Sequence, residues 1–195
     1  MNVPAKDEIN LLPPYPGLTL DQITTVHDAA SAQAALDVLL REPIIGFDTE
    51  SRPTFRKDEV SDGPHVLQFA TPTRAYLFQS HCTASHFAIA ALLGSALPLK
   101  VGFGLSNDKG PIERKFGLQP QGLVELGRAF RERGYRQEVG ARSAVAILFA
   151  HRFVKSKKVS TSNWSARELG PAQRLYAAND AWIALRIHQA LHAAS

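Results

Sequence analysis

Residues 44–50 read Ile44-Ile45-Gly46-Phe47-Asp48-Thr49-Glu50. The first four form a short apolar run of the kind found in strands buried on both faces. Side chains alternate along a strand, so Asp48 and Glu50 project from one face at its end. Carboxylates held that close repel each other, and burial sharpens the repulsion. A bound divalent cation relieves it, and hard cations take oxygen ligands. Read alone, the pair fits a polar strand end entering a loop at least as well, with Asp48 capping a turn.

Upstream of this segment, residues 28–41 (DAASAQAALDVLLR) have helical spacing, and Pro43 stops them. Downstream, residues 51–64 are polar with Pro53, Gly63 and Pro64, which makes a loop. HVLQFA (65–70) and AYLFQ (75–79) read as two strands around a turn at 71–74. Residues 84–96 read as a helix. LKVGF (99–103) is a further strand, leading through Gly104 into a short helix that starts near Asn107 or Asp108 and stops at Gly117. Residues 122–126 supply a fifth strand and 141–153 a buried helix. Residues 154–163 are a basic, polar connection, and Pro171 opens a last helix that runs to about residue 192. Residues 1–18 hold four of the twelve prolines and no periodicity, so they predict a flexible or surface-draped arm. Residues 19–195 then form a single domain. This order of elements implies an α/β or α+β class, with helices packed on a mixed sheet.

Composition narrows the function classes. With 45% hydrophobic and 21% charged residues, the chain reads as an ordinary soluble globule. No apolar run approaches the roughly 20 residues that span a bilayer, and the N-terminus lacks a basic-then-apolar signal. A membrane partner is therefore not expected. Cys82 is the one cysteine, which excludes an internal disulfide and a cysteine zinc cluster. A reducing, cytoplasmic setting is expected. The net charge of +4 is unevenly spread: residues 128–174 hold eleven Lys/Arg against three acids. Such a stretch is a solvated surface or a footprint for a polyanion.

Further acids sit at core elements. Tyr176 and Asp180 are four apart in the last helix. At about 100° per residue, they share a face with Ile183, Ile187 and Leu191, which should meet the sheet. A charge on that face needs a partner, a metal or an arginine, unless the helix is rotated to expose it. Asp108 follows a strand and opens a helix, where free N–H groups favour an anion and a plain cap would look the same. His188 and His192 have no acidic neighbour and read as a helix C-terminal face.

The combination is more specific than its parts. GFDTE (46–50), VGFGLSNDKGPIERKFGL (101–118) and LYAANDAW (175–182) occur in the order strand D-x-E, Asp after a strand, and Y-x-x-x-D on a late helix. HVLQFA and Ser162-Asn163-Trp164 add weaker matches. The chain resembles the tyrosine-bearing branch of the DEDD superfamily of 3′–5′ exonucleases, ribonuclease D-like and Werner-helicase exonuclease-domain-like. The resemblance implies a ribonuclease-H-like mixed five-stranded sheet flanked by helices. It also implies a metal-dependent hydrolase that acts on phosphodiester bonds at nucleic-acid 3′ ends and releases 5′-nucleotides. Two divalent cations, Mg²⁺ or Mn²⁺, would be held by Asp48, Glu50, Asp108 and Asp180, and Tyr176 would orient the attacking water. A pair of such ions holds the attacking and leaving oxygens of an in-line displacement. Longer relatives carry a helicase or an extra helical domain, and neither fits in 195 residues. No required protein partner is evident from the sequence. A catalytically silent domain of the same fold and a ribonuclease-H-like endonuclease are the competing readings.

Nucleic-acid contacts are assigned to cationic residues near these motifs. Arg52 and Phe55 lie in the loop after Glu50, where an aromatic among cations suits stacking plus phosphate contact. Lys155, Lys157, Lys158 and Arg167 precede the last helix and could track a backbone. Trp164 is expected to anchor that helix by packing.

Overall fold

The computed structural model of the chain describes residues 1–54 and 59–193. The expected contact at Phe55 lies outside the described residues. In chain order the elements are α1 (Lys6–Leu11), β1 (Ile23–Val26), α2 (Ala29–Leu39), β2 (Ile44–Glu50), β3 (Val66–Ala70), β4 (Ala75–Gln79), α3 (His86–Gly94), β5 (Leu99–Gly102), α4 (Lys109–Phe116), β6 (Leu123–Glu125), α5 (Leu126–Glu132), α6 (Ala141–Phe149), α7 (Lys157–Ser160) and α8 (Pro171–Ala193).

The strands form one sheet in the order β1-β4-β3-β2-β5-β6. β3 runs antiparallel to both neighbours and the other strands are mutually parallel. The sheet therefore has six strands rather than five. The additional strand, β1, sits at an edge beside β4. Its sequence, ITTV, buries both ends and leaves two threonines between them, so it shows neither an apolar run nor alternation.

Helices cover both faces. Phe47, Phe69 and Phe78 pack on one face with Leu36 and Leu39 of α2 and Ile89 and Leu92 of α3. The Phe47 and Phe69 rings stack at 5.0 Å between centroids, on directly paired residues of β2 and β3. On the opposite face α8 lies across β1 to β5. Its Ala177 and Ala181 meet Val66, Ala70 and Leu77, and its Ile183 and Ile187 cluster with Val101. The stripe through Asp180, Ile183, Ile187 and Leu191 is buried, as the helical spacing requires.

Gly46 sets how closely α8 approaches. A Cβ built there would lie 1.9 Å from the Ala181 carbonyl oxygen and 3.2 Å from Leu185 Cβ. Only a glycine lets the helix backbone rest on β2 at this point.

The N-terminal residues are draped on the domain. Ile9 of α1 is buried, and Pro14 pairs with Arg152. The Leu18 N–H donates to Asn179 Oδ1 at 2.7 Å, tying the end of the arm to α8 beside Asp180.

Candidate active site

β2 ends at Glu50 on the same edge of the sheet as the C-terminal ends of β4 and β5. Register places Asp48 opposite Gln68 and Glu50 opposite Val66. Val66 belongs to the face covered by α8. Both carboxylates thus turn toward α8, which presents Asp180 directly above them. Asp48, Glu50 and Asp180 each offer an oxygen within 4.8 Å of the others. A recess of about 120 Å³ opens here, lined by Phe47, Asp48, Phe103, Ala141, Lys155 and Asp180.

Asp108 stands close by but in a different arrangement. It precedes α4 without capping it through its side chain. Its Oδ1 instead accepts a 2.5 Å hydrogen bond from Thr49 Oγ1. Thr49 lies between the two β2 acids and alternates to the other side of the strand. This tie holds Asp108 at the end of β2 and outside the three-carboxylate group. Nearby, Glu125 Oε2 accepts from the Leu105 N–H at 2.9 Å, which fixes the turn that carries Asp108.

Lys155 completes the centre. Its Nζ lies 2.6 Å from Asp180 Oδ2. It also sits 5.1 Å from the Tyr176 ring centroid and 6.0 Å from that of Phe153. Asp180 is buried rather than rotated to solvent, with acidic neighbours suited to a metal, and its basic partner is a lysine where the sequence suggested an arginine.

The electrostatics show what the cluster lacks. Burial pushes the Asp48 carboxyl well above the usual range, and the Asp180 charge adds to this against the pull of Lys155. Glu50 is pushed up to about 9, by burial first and then by Asp48 and Asp180. Asp108 is raised to about 6 by burial, with the Thr49 hydrogen bond opposing. Asp180 is raised to about 6 by burial, with Lys155 opposing. Burial alone would lower the Lys155 ammonium, but the Asp180 carboxylate outweighs it and holds the pKa above the usual lysine value. Tyr176 is pushed up to about 12 by burial and by Asp180, so its hydroxyl keeps its proton at neutral pH. The carboxylates are thus unfavourable as anions until more positive charge arrives.

Sequence comparison bears on this geometry directly. A profile of 3′–5′ exonucleases matches residues 23–194. The chain belongs to this 3′–5′ exonuclease family. It is 28% identical over 150 residues to the mouse bifunctional 3′–5′ exonuclease/ATP-dependent helicase WRN, covering 76% of this chain and 11% of that protein. The chain therefore spans only about a tenth of that relative's length. Among solved structures, the Nibbler EXO domain of Aedes aegypti superposes with a TM-score of 0.74 at 23% identity, covering 90% of this chain and 89% of that one. Escherichia coli RNase D gives 0.74 at 22% identity, over 88% of this chain and 44% of that one. A Trypanosoma brucei RNase D complex with RNA gives 0.75 at 17% identity, over 95% of this chain and 64% of that one. These likenesses establish the fold of the exonuclease domain, including its sheet flanked by helices.

The residues assigned to nucleic-acid contact are scattered in the exonuclease domain. Lys155 is inside the acidic centre. Lys157 and Lys158 are exposed on α7. Arg52 Nε bonds Asp62 at 3.0 Å and its Nη2 lies 3.7 Å from Glu59, so its charge is engaged within its own loop. Arg167 lines a separate cavity of about 530 Å³ with Arg174, His27 and His81. Trp164 is fully buried, donates from Nε1 to the Ser160 carbonyl and lies 5.8 Å from the Tyr176 ring, the packing role its sequence suggested. Sequence reasoning missed Thr49 and Glu125 as supports of the Asp108 turn. Thr49 sits inside the D-x-E motif, and its alternation to the far face was the available signal.

Proposed function

We propose that this exonuclease domain removes 5′-nucleotides from a nucleic-acid 3′ end with the help of divalent cations, Mg²⁺ or Mn²⁺. Asp48, Glu50 and Asp180 would hold one cation, and Asp108 would contribute to a second position with Asp48. The observation that carries this reading is the convergence of carboxylates from β2 and α8 within 4.8 Å. The fit to a cation rests on two features: their raised pKa values, and an ammonium already drawn into the group. Bound divalent cations supply Lewis-acid activation of water and charge stabilisation at the phosphoryl group.

The protein's own groups do the positioning. The protonated Tyr176 hydroxyl, beside Asp180, can orient the attacking water through one hydrogen bond. Asp108 keeps its place at the edge through Thr49. A largely apolar cavity of about 380 Å³ adjoins the centre, sharing Asp180 and Tyr176 and walled by Tyr15, Phe153, Leu175 and Trp182. Aromatic walls of this kind suit a nucleobase. The setting proposed is cytoplasmic, with nucleic acid as partner and no membrane. No described helix is long and apolar enough to cross one.

The test uses 3′-labelled and 5′-labelled oligonucleotides, matched DNA and RNA, with Mn²⁺ or Mg²⁺. The 5′-labelled strand is expected to shorten in single steps while the 3′ label leaves at once as a mononucleotide. Tyr176→Phe is expected to slow this by about 10²-fold, within the 10²–10⁴ that general acid–base positioning contributes. Binding without shortening would support a silent domain, and cutting of a circular substrate would support an endonuclease. Equal rates for Tyr176→Phe and wild type would remove the hydroxyl from the reaction.

Stability should report the cation independently. A carboxyl whose folded pKa is raised contributes stability below its unfolded pKa and loses it as pH rises through the folded value. For Asp108 and Asp180 that loss spans about pH 4 to 6, and for Glu50 it continues to about 9. In chelator, the melting temperature is expected to fall between pH 6 and 9. Millimolar Mn²⁺ should restore it, with a shift that grows with pH. A pH-independent shift, or none, would count against cation binding at these acids.

A further inference from the structure

Among the described residues, Lys155 is the one basic side chain that forms an ion pair with the carboxylate group. Its side chain retains 28% exposure while that of Asp180 retains 3%, so the ammonium stands between the acids and solvent. It has two footholds: the Asp180 carboxylate at 2.6 Å, and the aromatic faces of Tyr176 and Phe153 at 5.1 and 6.0 Å. A cation within about 6 Å of an aromatic centroid is attracted to the ring face. The second foothold therefore survives loss of the first. Val154 and Ser156, on either side of Lys155, line the apolar cavity, whereas Lys155 itself lines the acidic recess. The residue lies where the two spaces meet.

We propose that Lys155 is an exchangeable counter-cation: it neutralises Asp180 in the metal-free protein, yields that carboxylate when the site is loaded, and then binds a non-bridging oxygen of the substrate phosphodiester. The inference rests on the cation-binding reading above. The same ammonium would protect an otherwise repulsive acidic centre and later help to bind the anionic substrate, using the rings of Tyr176 and Phe153 as its resting place. Occupation of Asp180 by the ammonium and by a divalent cation would be mutually exclusive. The two binding events would then be coupled with opposite sign.

Calorimetric titration of MnCl₂ into wild type, Lys155→Met and Lys155→Arg, without nucleic acid, tests this. Lys155→Met is expected to bind Mn²⁺ about tenfold more tightly, a coupling within the usual 5–150-fold span. The same variant should melt lower than wild type in chelator, because Asp180 loses its partner. It should also hydrolyse oligonucleotides more slowly at saturating Mn²⁺. Lys155→Arg keeps the charge and should retain wild-type-like Mn²⁺ affinity and most of the hydrolysis. A lysine with a merely structural role would give weaker, not tighter, Mn²⁺ binding on removal. Unchanged or weaker affinity in Lys155→Met, or undiminished hydrolysis at saturating Mn²⁺, overturns the proposal. If wild type itself takes up no Mn²⁺, the cation-binding reading fails first and the exchange falls with it.

Discussion

Asp48→Asn should reduce hydrolysis at 3′ ends by about 10⁴-fold, corresponding to roughly 5 kcal/mol of lost transition-state stabilisation. Asp48 occupies the centre of the site: Asp180, Lys155 and Asp108 all act on its carboxyl. The asparagine keeps the shape and one oxygen but removes the charge that a divalent cation needs. Stability should move the other way. In chelator the variant loses one of several mutually repelling groups, so it should melt no lower than wild type, and higher above pH 7. Its Mn²⁺-induced stabilisation should largely disappear. Loss of activity together with a lower melting temperature in chelator would mean that Asp48 supports the fold instead. Retained activity would remove Asp48 from the centre of the chemistry.

The second large effect is on architecture. Gly46→Ala would drive a methyl group to 1.9 Å from the Ala181 carbonyl oxygen and 2.8 Å from its carbon. These are backbone atoms of a buried helix and cannot turn aside as a side chain does. Overpacking usually costs about 1–3 kcal/mol, and a main-chain collision this deep should cost about 3 kcal/mol or more. In a domain of this size, that corresponds to a fall in melting temperature of about 6–12 °C. Activity should drop beyond what the loss of folded protein explains. Asp180 precedes Ala181, and a 1 Å misplacement at a reacting centre costs about 10²-fold. Gly94→Ala is the control, since nothing lies within 4 Å of its Cβ position. Equal melting temperatures for Gly46→Ala and wild type would show that α8 does not depend on this close approach.

Much of this arrangement was legible in the sequence because it follows from periodicity. The run Ile44 to Phe47 and the alternation of Asp48 with Glu50 fixed a buried strand with both acids on one face. The spacing of Tyr176, Asp180, Ile183 and Ile187 fixed which side of the last helix meets the sheet. Gly117, with φ of 66°, stops α4 where the sequence placed its end. What escaped notice depends on contacts between distant segments. The helix expected over residues 141–153 ends at Phe149, because Ala150 adopts φ of 53°, which no alanine announces. That early ending frees Phe153 and Lys155 to reach α8. The sequence groups Lys155 with Lys157, Lys158 and Arg167 as cations that could track a backbone, and its pairing with Asp180 becomes visible only when the segments meet. Asp108 resembled an ordinary helix cap until Thr49 was found beside it. β1 and α1 are too short to show a period, and both are held by neighbours rather than by local preference.

The order of synthesis has a consequence of its own. The candidate centre draws Asp48 from an early strand, but Tyr176 and Asp180 arrive on α8, which also roofs β1 to β5. More than 130 residues separate Asp48 from Asp180, so the acids can converge only once α8 has been made and packed on the sheet. A truncation that removes α8 would take away Tyr176, Asp180 and the cover of the sheet together.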